Sequence, residues 1–546
     1  MTRNDVRSPS PSFAIAVAVG ALAVASVVGC TTDRVVGAAA ADAAPPALPK
    51  IDLAETGAFP LAAHLESADI AAGKYGFQEL FDAGGDLFHT PYNGLDGVGV
   101  ARLPSGAAIH RFALTPPGGS LTAISSQSCG GCHHAPFGAS AGLAHTHVAF
   151  DGDQDGRGPF NVRSTTSVFG DGLLQLLAQE MTEDLLAAHA AAAAQAQETP
   201  GQTVERALTS KGISYGAIAV TADAAGQVAI DTSKLEGVDP DLVVRPMGWK
   251  GGIPTVRLNV LAPAAGIMGM QGEELVWRIP GGAETPDLDG DGVERELSVG
   301  DITALTVYTA GQETPQSFAR LAELGFVQPP TPEQGAQIER GRAAFDSAGC
   351  ATCHVPELRL ANTTFEEPTA RGGGNYYDKF LAAKDPGYDL ERPFRFDLLA
   401  DAEEPRVEAH PEGGAVVRLY GDLKRHRMGR HLADPAGPTP PLVAELAPLE
   451  QNGAIVLIPP DVFLTAELWG VGNTGPWLHD GRAGSLREAV LLHGEETPPA
   501  PGEPGRGEAQ ESRDAFAKMP AATQADLVAF LRSLHTFSPN RPDDSE

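Results

Sequence analysis

Apolar residues recur along this chain with two distinct periods. Between Gly172 and Ala194, Leu173, Leu174, Leu176, Leu177, Leu185 and Leu186 precede a run of alanines, which predicts a long helix. Gln78–Phe81 and Gly85–Phe88 repeat apolar positions at helical spacing before a glycine-rich stretch through Gly99. Asp301 to Thr309 predicts a short helix with Asp301 as its N-cap. Thr331, Pro332 and Gln334 form a start signal: a capping hydroxyl, a proline suited to the first turn, and a side chain that can reach back. The helix they open should run to about Ser347, with Ile338, Gly341 and Phe345 on one face. A terminal helix is expected over Thr523–Leu534, carrying Leu527, Phe530 and Leu531. Ser214 to Thr232 alternates apolar and polar residues around Ala225-Gly226, which suggests a β-hairpin. The expected fold is mainly α, with small β-hairpin and loop insertions.

Other stretches divide the chain. Phe13 to Gly29 is continuously apolar and follows Arg3 and Arg7, the order of an export signal. Val27-Val28-Gly29-Cys30 resembles a bacterial lipoprotein processing site, which implies a lipid anchor on Cys30; the alternative is an uncleaved membrane helix. Residues 1–30 are therefore read as the signal, and the Ala- and Pro-rich residues 31–50 as a flexible tether. Gln328-Pro329-Pro330 marks a break, giving one domain over 51–327 and another over 328–546. Thirty-nine basic against 70 acidic residues give a formal charge of -31, which argues against nucleic acid and anionic lipid surfaces as partners. It would suit a basic electron-transfer partner, and also simple solvation.

Cysteine carries the chemistry. The chain has five, and four lie in two Cys-x-x-Cys-His motifs, Cys129-Cys132-His133 and Cys350-Cys353-His354. Two such thiols can form thioethers with one haem while the adjacent imidazole reaches its iron. A zinc site would need four ligands, and a redox dithiol does not need the histidine. The motifs therefore predict two covalently bound haem c groups, with His133 and His354 as ligands to the haem irons. Two helices flanking the second motif suggest a cytochrome c-like unit, and the first half shows a weaker version of that plan.

The remaining iron position decides each haem's role. Met428, in a basic, Gly-flanked segment, is the candidate opposite His354, with His426 and His431 as competitors. His145 and His147 lie a short loop beyond the first motif; either is a surface histidine or a displaceable distal ligand. Glu180 is a candidate proton shuttle or a solvated helix glutamate. Trp249 could relay electrons between haems or simply fill a core. Two acidic loops, at Asp151 and at Asp287, Asp289 and Asp291, have oxygen ligands at calcium-loop spacing. Neither has the closing glutamate, since Val162 and Ser298 stand at the twelfth positions.

With these residues assembled, the chain resembles the bacterial dihaem oxidoreductases related to dihaem cytochrome c peroxidases. The likeness runs from about Phe77 onward, through both haem motifs, Gly248-Trp249-Lys250, the Met428 segment, Leu468-Trp469-Gly470 and Trp477-Leu478-His479-Asp480-Gly481-Arg482. The resemblance implies two cytochrome c-like domains, a reactive N-terminal haem and a C-terminal haem that takes in electrons. It makes His147 the loose match for a displaceable histidine and Glu180 for a distal glutamate. The implied reaction is reduction of hydrogen peroxide, with electrons from a periplasmic donor such as a basic cytochrome or cupredoxin. Oxidation or oxygenation of an organic substrate, and non-enzymatic electron transfer, are the alternatives.

Overall fold

Helix packing around two separate apolar cores organises the chain. The computed structural model describes residues 63–98, 111–112, 126–137, 139–151, 159–278, 287, 292–372, 376–439, 450–451 and 454–538. All of them fall in one unit, 53–546. The expected signal and tether lie outside the described residues. Thirteen α-helices and several two- and three-stranded antiparallel sheets make up the described part. Among the described residues no helix is long and apolar enough to cross a membrane.

The long helix forms over Asp171–Glu198 and buries Leu173, Leu174, Leu176, Leu177, Met181 and Leu185. Against it packs a meander of Thr203–Ser210, Ile213–Ala222 and Val228–Asp231, two strands of which are the expected hairpin. Val204, Leu208, Tyr215, Ile218 and Val220 face this core.

Each half uses one device to bring an aromatic ring onto its Cys-x-x-Cys-His motif. In the first, helix Phe77–His89 crosses helix Val299–Ala310 at Gly84, where a Cβ would lie 2.1 Å from the Ala304 carbonyl oxygen. Only glycine permits that approach. One turn later Phe88 packs 5.9 Å, ring to ring, from His133. In the second, helix Pro332–Ser347 crosses Ala521–Arg532 at Gly341, where a Cβ would lie 2.0 Å from the Asp526 oxygen. One turn later Phe345 stands 6.3 Å from His354 and 5.4 Å from Phe530.

Helix starts follow local chemistry. Thr331 and Gln334 form the expected reciprocal cap with Pro332 in the first turn. The cap of Val299–Ala310 is Ser298, not Asp301; Asp301 sits three residues in and bonds back to the Ser298 N–H. The terminal helix spans Ala521–Arg532.

The larger core spans the Gln328 region in sequence, combining Leu80, Leu177 and Val307 with Leu358, Phe365 and Leu419. A buried ionic network does the same. Arg257 pairs with Glu274 and, at 2.9 Å, with Glu367. The Tyr388 hydroxyl lies 2.6 Å from Glu367 and 2.7 Å from Asp378. The smaller core holds Ala344, Phe345, Leu486, Phe516, Leu527, Phe530 and Leu531.

Candidate functional site

Both motifs hold their histidine in the same way. Ser128 caps the single turn Cys129–Cys132 by accepting from the Gly131 N–H, and the His133 N–H bonds the Cys129 carbonyl at 2.9 Å. The His133 Nδ1 donates to the Ser140 carbonyl at 3.1 Å. In the second motif a turn over Cys350–Thr352 brings the His354 N–H to the Cys350 carbonyl at 3.0 Å. The His354 Nδ1 donates to the Tyr420 carbonyl, also at 3.0 Å. With Nδ1 donating, each Nε2 keeps its lone pair for a metal. Burial pushes both imidazoles down to about 4, so both are neutral at pH 7.

The sulfurs fit haem attachment better than the alternatives. None of the four motif cysteines is in a disulfide. Burial pushes Cys129 up to about 12 and Cys350 up to about 11. Among the described residues, the one trio of potential ligands within mutual reach is Cys353, Asp422 and His426, which takes only one cysteine of a pair.

A cavity of about 450 Å³ lies along the second motif, within the size range of cofactor pockets (roughly 300–1,000 Å³). Cys350, Cys353, His354 and Met428 all line it, as do Trp249, Trp469 and Trp477. It continues to Ala141, Thr165, Asp171 and Asn259, on the side of the first motif: Ala141 accepts from the His134 and Ala135 N–H groups. A mostly apolar slot beside two thiols and a neutral imidazole, with a thioether in its wall, suits a haem.

Of the expected candidates, Met428 lines this wall. It follows strand Arg425–Arg427, which pairs with Val462–Leu464, and its N–H bonds the Asp461 carbonyl at 2.7 Å. His426 also lines the cavity, but its Nε2 lies 2.9 Å from Asp422 and its Nδ1 2.8 Å from Glu508. Burial works against a charged ring there, yet Asp422, Cys353 and Glu508 outweigh it and push His426 up to about 12. A protonated imidazole cannot ligate iron. His431 donates to the Leu492 carbonyl at 2.8 Å and lies outside the wall.

Trp249 presents its ring to the cavity and donates Nε1–H to the Ser164 carbonyl at 2.8 Å. The structure does not bring Glu180 or His147 to the same wall. The Glu180 carboxylate accepts from Lys211 at 2.5 Å and from the Ala361 and Asn362 N–H groups, both at 2.9 Å. It clamps the long helix to the turn between the first two strands of the meander and to a loop of the second half. His147 packs on Gly481, with its Nε2 buried. His145 is exposed. Asp289, Asp291 and residues 152–158 of the two acidic loops lie outside the described residues; Asp287 accepts from the Gly292 N–H at 3.0 Å, as in an ordinary Asp turn.

Sequence reasoning missed four acids in the wall, Asp171, Glu467, Glu508 and Glu511. Burial, and then the Glu467 charge, hold Asp171 well above the usual carboxylate range; burial raises Glu467 too. Asp171 stood in plain view at the head of a leucine run, a position that reads as an ordinary first-turn acid.

Residues 460–534 match the family model described as "Di-haem oxidoreductase, putative peroxidase". That segment is similar to the dihaem oxidoreductases. The matching segment of dihaem oxidoreductase type supplies Trp469, Trp477, His479 and His493 to the cavity. Among solved structures, one match is described as the crystal structure of a MauG-like protein associated with microbial copper homeostasis. It shows 15% identity and a TM-score of 0.27, covering 67% of this chain and 89% of that one. Among curated proteins none matches.

Proposed function

We propose that this chain is an exported c-type dihaem peroxidase, anchored by lipid on Cys30 at the periplasmic side of a bacterial membrane. The observation that carries the reading is the cavity wall shared by Cys350, Cys353, His354 and Met428, with a second motif of the same construction nearby. Cys129 and Cys132 would hold one haem with His133 as ligand, and Cys350 and Cys353 the other with His354 and Met428. A bound haem would supply one-electron redox steps and, at the first site, a position where hydrogen peroxide is reduced.

The chain's own residues set the two roles apart. A haem held by His354 and the Met428 thioether would be suited to electron transfer, so the second site would be the entry for electrons. Phe88 and Phe345 fix the planes of the two imidazoles, and each carbonyl partner fixes which nitrogen can ligate. Trp249, Trp469 and Trp477 put aromatic side chains in the wall of the cavity. The formal charge of -31 suits a basic donor protein such as a small cytochrome or cupredoxin.

Optical and spin-resonance spectra of the half-reduced protein, with and without peroxide, test the reading. A peroxidase gains an exchangeable high-spin haem on partial reduction and consumes peroxide. Two six-coordinate low-spin haems in both redox states, with no turnover, would make the chain an electron carrier. Oxygen uptake that depends on an organic substrate would make it an oxygenase.

A further inference from the structure

The backbone around Met428 is gripped from both sides by one later segment, Gly505–Glu508. The Arg430 N–H bonds the Gly505 carbonyl at 3.0 Å, and the Glu508 N–H bonds the Arg427 carbonyl at 2.8 Å. Between these two bonds the chains touch directly. A Cβ on Gly507 would lie 2.6 Å from the Met428 carbonyl oxygen, and one on Gly429, at φ +90°, would lie 2.9 Å from the Gly507 nitrogen. Glycine at both positions is what permits the approach.

Glu508 supplies the side-chain half of the grip. Its Oε1 accepts from the Arg427 N–H and its Oε2 lies against the His426 Nδ1, both at 2.8 Å. The His426 Nε2 stands 2.9 Å from Asp422, and its Nδ1 stands 3.9 Å from the Cys353 sulfur. One carboxylate thus ties the residue before Met428 to a ring that rests against a motif cysteine. Although 52% of its side chain is exposed, both oxygens turn inward to this segment, so the contact orders the segment rather than merely solvating the surface.

We propose that Glu508 is a positioning residue for Met428: with the Gly505–Glu508 segment it latches the thioether in the cavity wall, where it can serve the haem of the second motif as a ligand. A thioether is a weak, neutral ligand, so its hold on iron depends on how firmly the surrounding chain presents it. Loosening the latch should therefore free the sulfur before it unfolds the domain. The inference rests on the reading of Met428 as a ligand, and the two can fail separately.

The oxidised, haem-loaded wild type should show the far-red sulfur-to-iron charge-transfer band of a histidine–thioether haem, and Met428→Ala should lose it. Glu508→Ala, at unchanged haem content, should weaken or abolish the band and lower the midpoint potential of the second haem, leaving the first midpoint in place. Added imidazole should displace the thioether at a concentration roughly 10–100-fold lower than in the wild type. Glu508→Gln keeps an acceptor for the Arg427 N–H and should restore part of the band. If Glu508→Ala fails to load the second haem, Gly507→Ala carries the same test, because its methyl group would press on the Met428 carbonyl. A wild-type band, potential and imidazole titration in a loaded Glu508→Ala or Gly507→Ala, with the band still lost in Met428→Ala, overturns the latch and leaves the ligand reading standing. A wild type without the band, or a band that survives Met428→Ala, ends the ligand reading and the latch with it.

Discussion

In the proposed function a single sulfur atom would carry the division of labour between the two sites. Met428 is placed in the cavity wall by the strand that precedes it, and His426, two residues earlier, is committed to Asp422 and Glu508. Met428→Ala should therefore lower the reduction potential of the second haem and slow electron entry, without another side chain of this segment taking the vacated position. Potentiometric titration of the loaded protein checks this; an unchanged second midpoint would remove Met428 as a ligand. Glu180 makes the opposite kind of prediction. Its carboxylate joins the long helix to Lys211 and to Ala361 and Asn362, so Glu180→Gln should cost about 1–3 kcal/mol, seen as a lower denaturant midpoint. Cysteine spacing made both Cys-x-x-Cys-His motifs plain in the sequence, because the chemistry they point to needs those residue types adjacent in the chain. Glu180 and Asp171 are acids of one helix, and the sequence alone favoured the one now seen clamped to Lys211. Which acid faces the cavity depends on contacts with residues up to 300 positions away.

At the level of helices, the crossings place the rings. Gly84 and Gly341 each admit a carbonyl where a Cβ would be, and each sets a phenylalanine one turn later against a motif histidine. Gly341→Ala would push a methyl group to 2.0 Å from the Asp526 oxygen, so the helix pair must separate. The expected cost is about 1–3 kcal/mol, with a looser His354; thermal unfolding measures the first and the linewidth of the second haem's spectrum the second. The helices themselves were legible, since Thr331, Pro332 and Gln334 announce a start through chemistry local to one turn. The partner of each helix was not. Gly341 reads as a mild helix breaker until the facing carbonyl is known. The Ser298 cap was displaced by three residues in the reading because Ser298 and Asp301 both favour helix starts and bond each other reciprocally.

Across the whole molecule, charge ties the residues before Gln328 to those after it. Arg163 forks onto Asp434 with two 2.7 Å bonds, and Lys250 meets the same carboxylate at 3.0 Å. Deeper in, Arg257 meets Glu274 and Glu367, and Tyr388 stands between Glu367 and Asp378. A phenol has one proton to donate, so its hydrogen bonds to two carboxylates are both satisfied only when one of the acids is protonated. Burial, and then the Glu367 charge, raise Asp378 to about 7, which makes it that acid. The sign follows from linkage. Between about pH 4, where the unfolded carboxyl ionises, and about 7, the folded chain holds a proton that the unfolded chain has lost. Stability from this group should therefore fall as pH rises through that window, by at most about 1.4 kcal/mol per unit, and level off above it. Asp378→Asn keeps a donor for the tyrosine oxygen and cannot ionise, so it should flatten the curve and gain on the wild type at pH 8. Urea unfolding of both proteins at pH 5 and pH 8 measures the difference; equal slopes would place the proton on Glu367 instead.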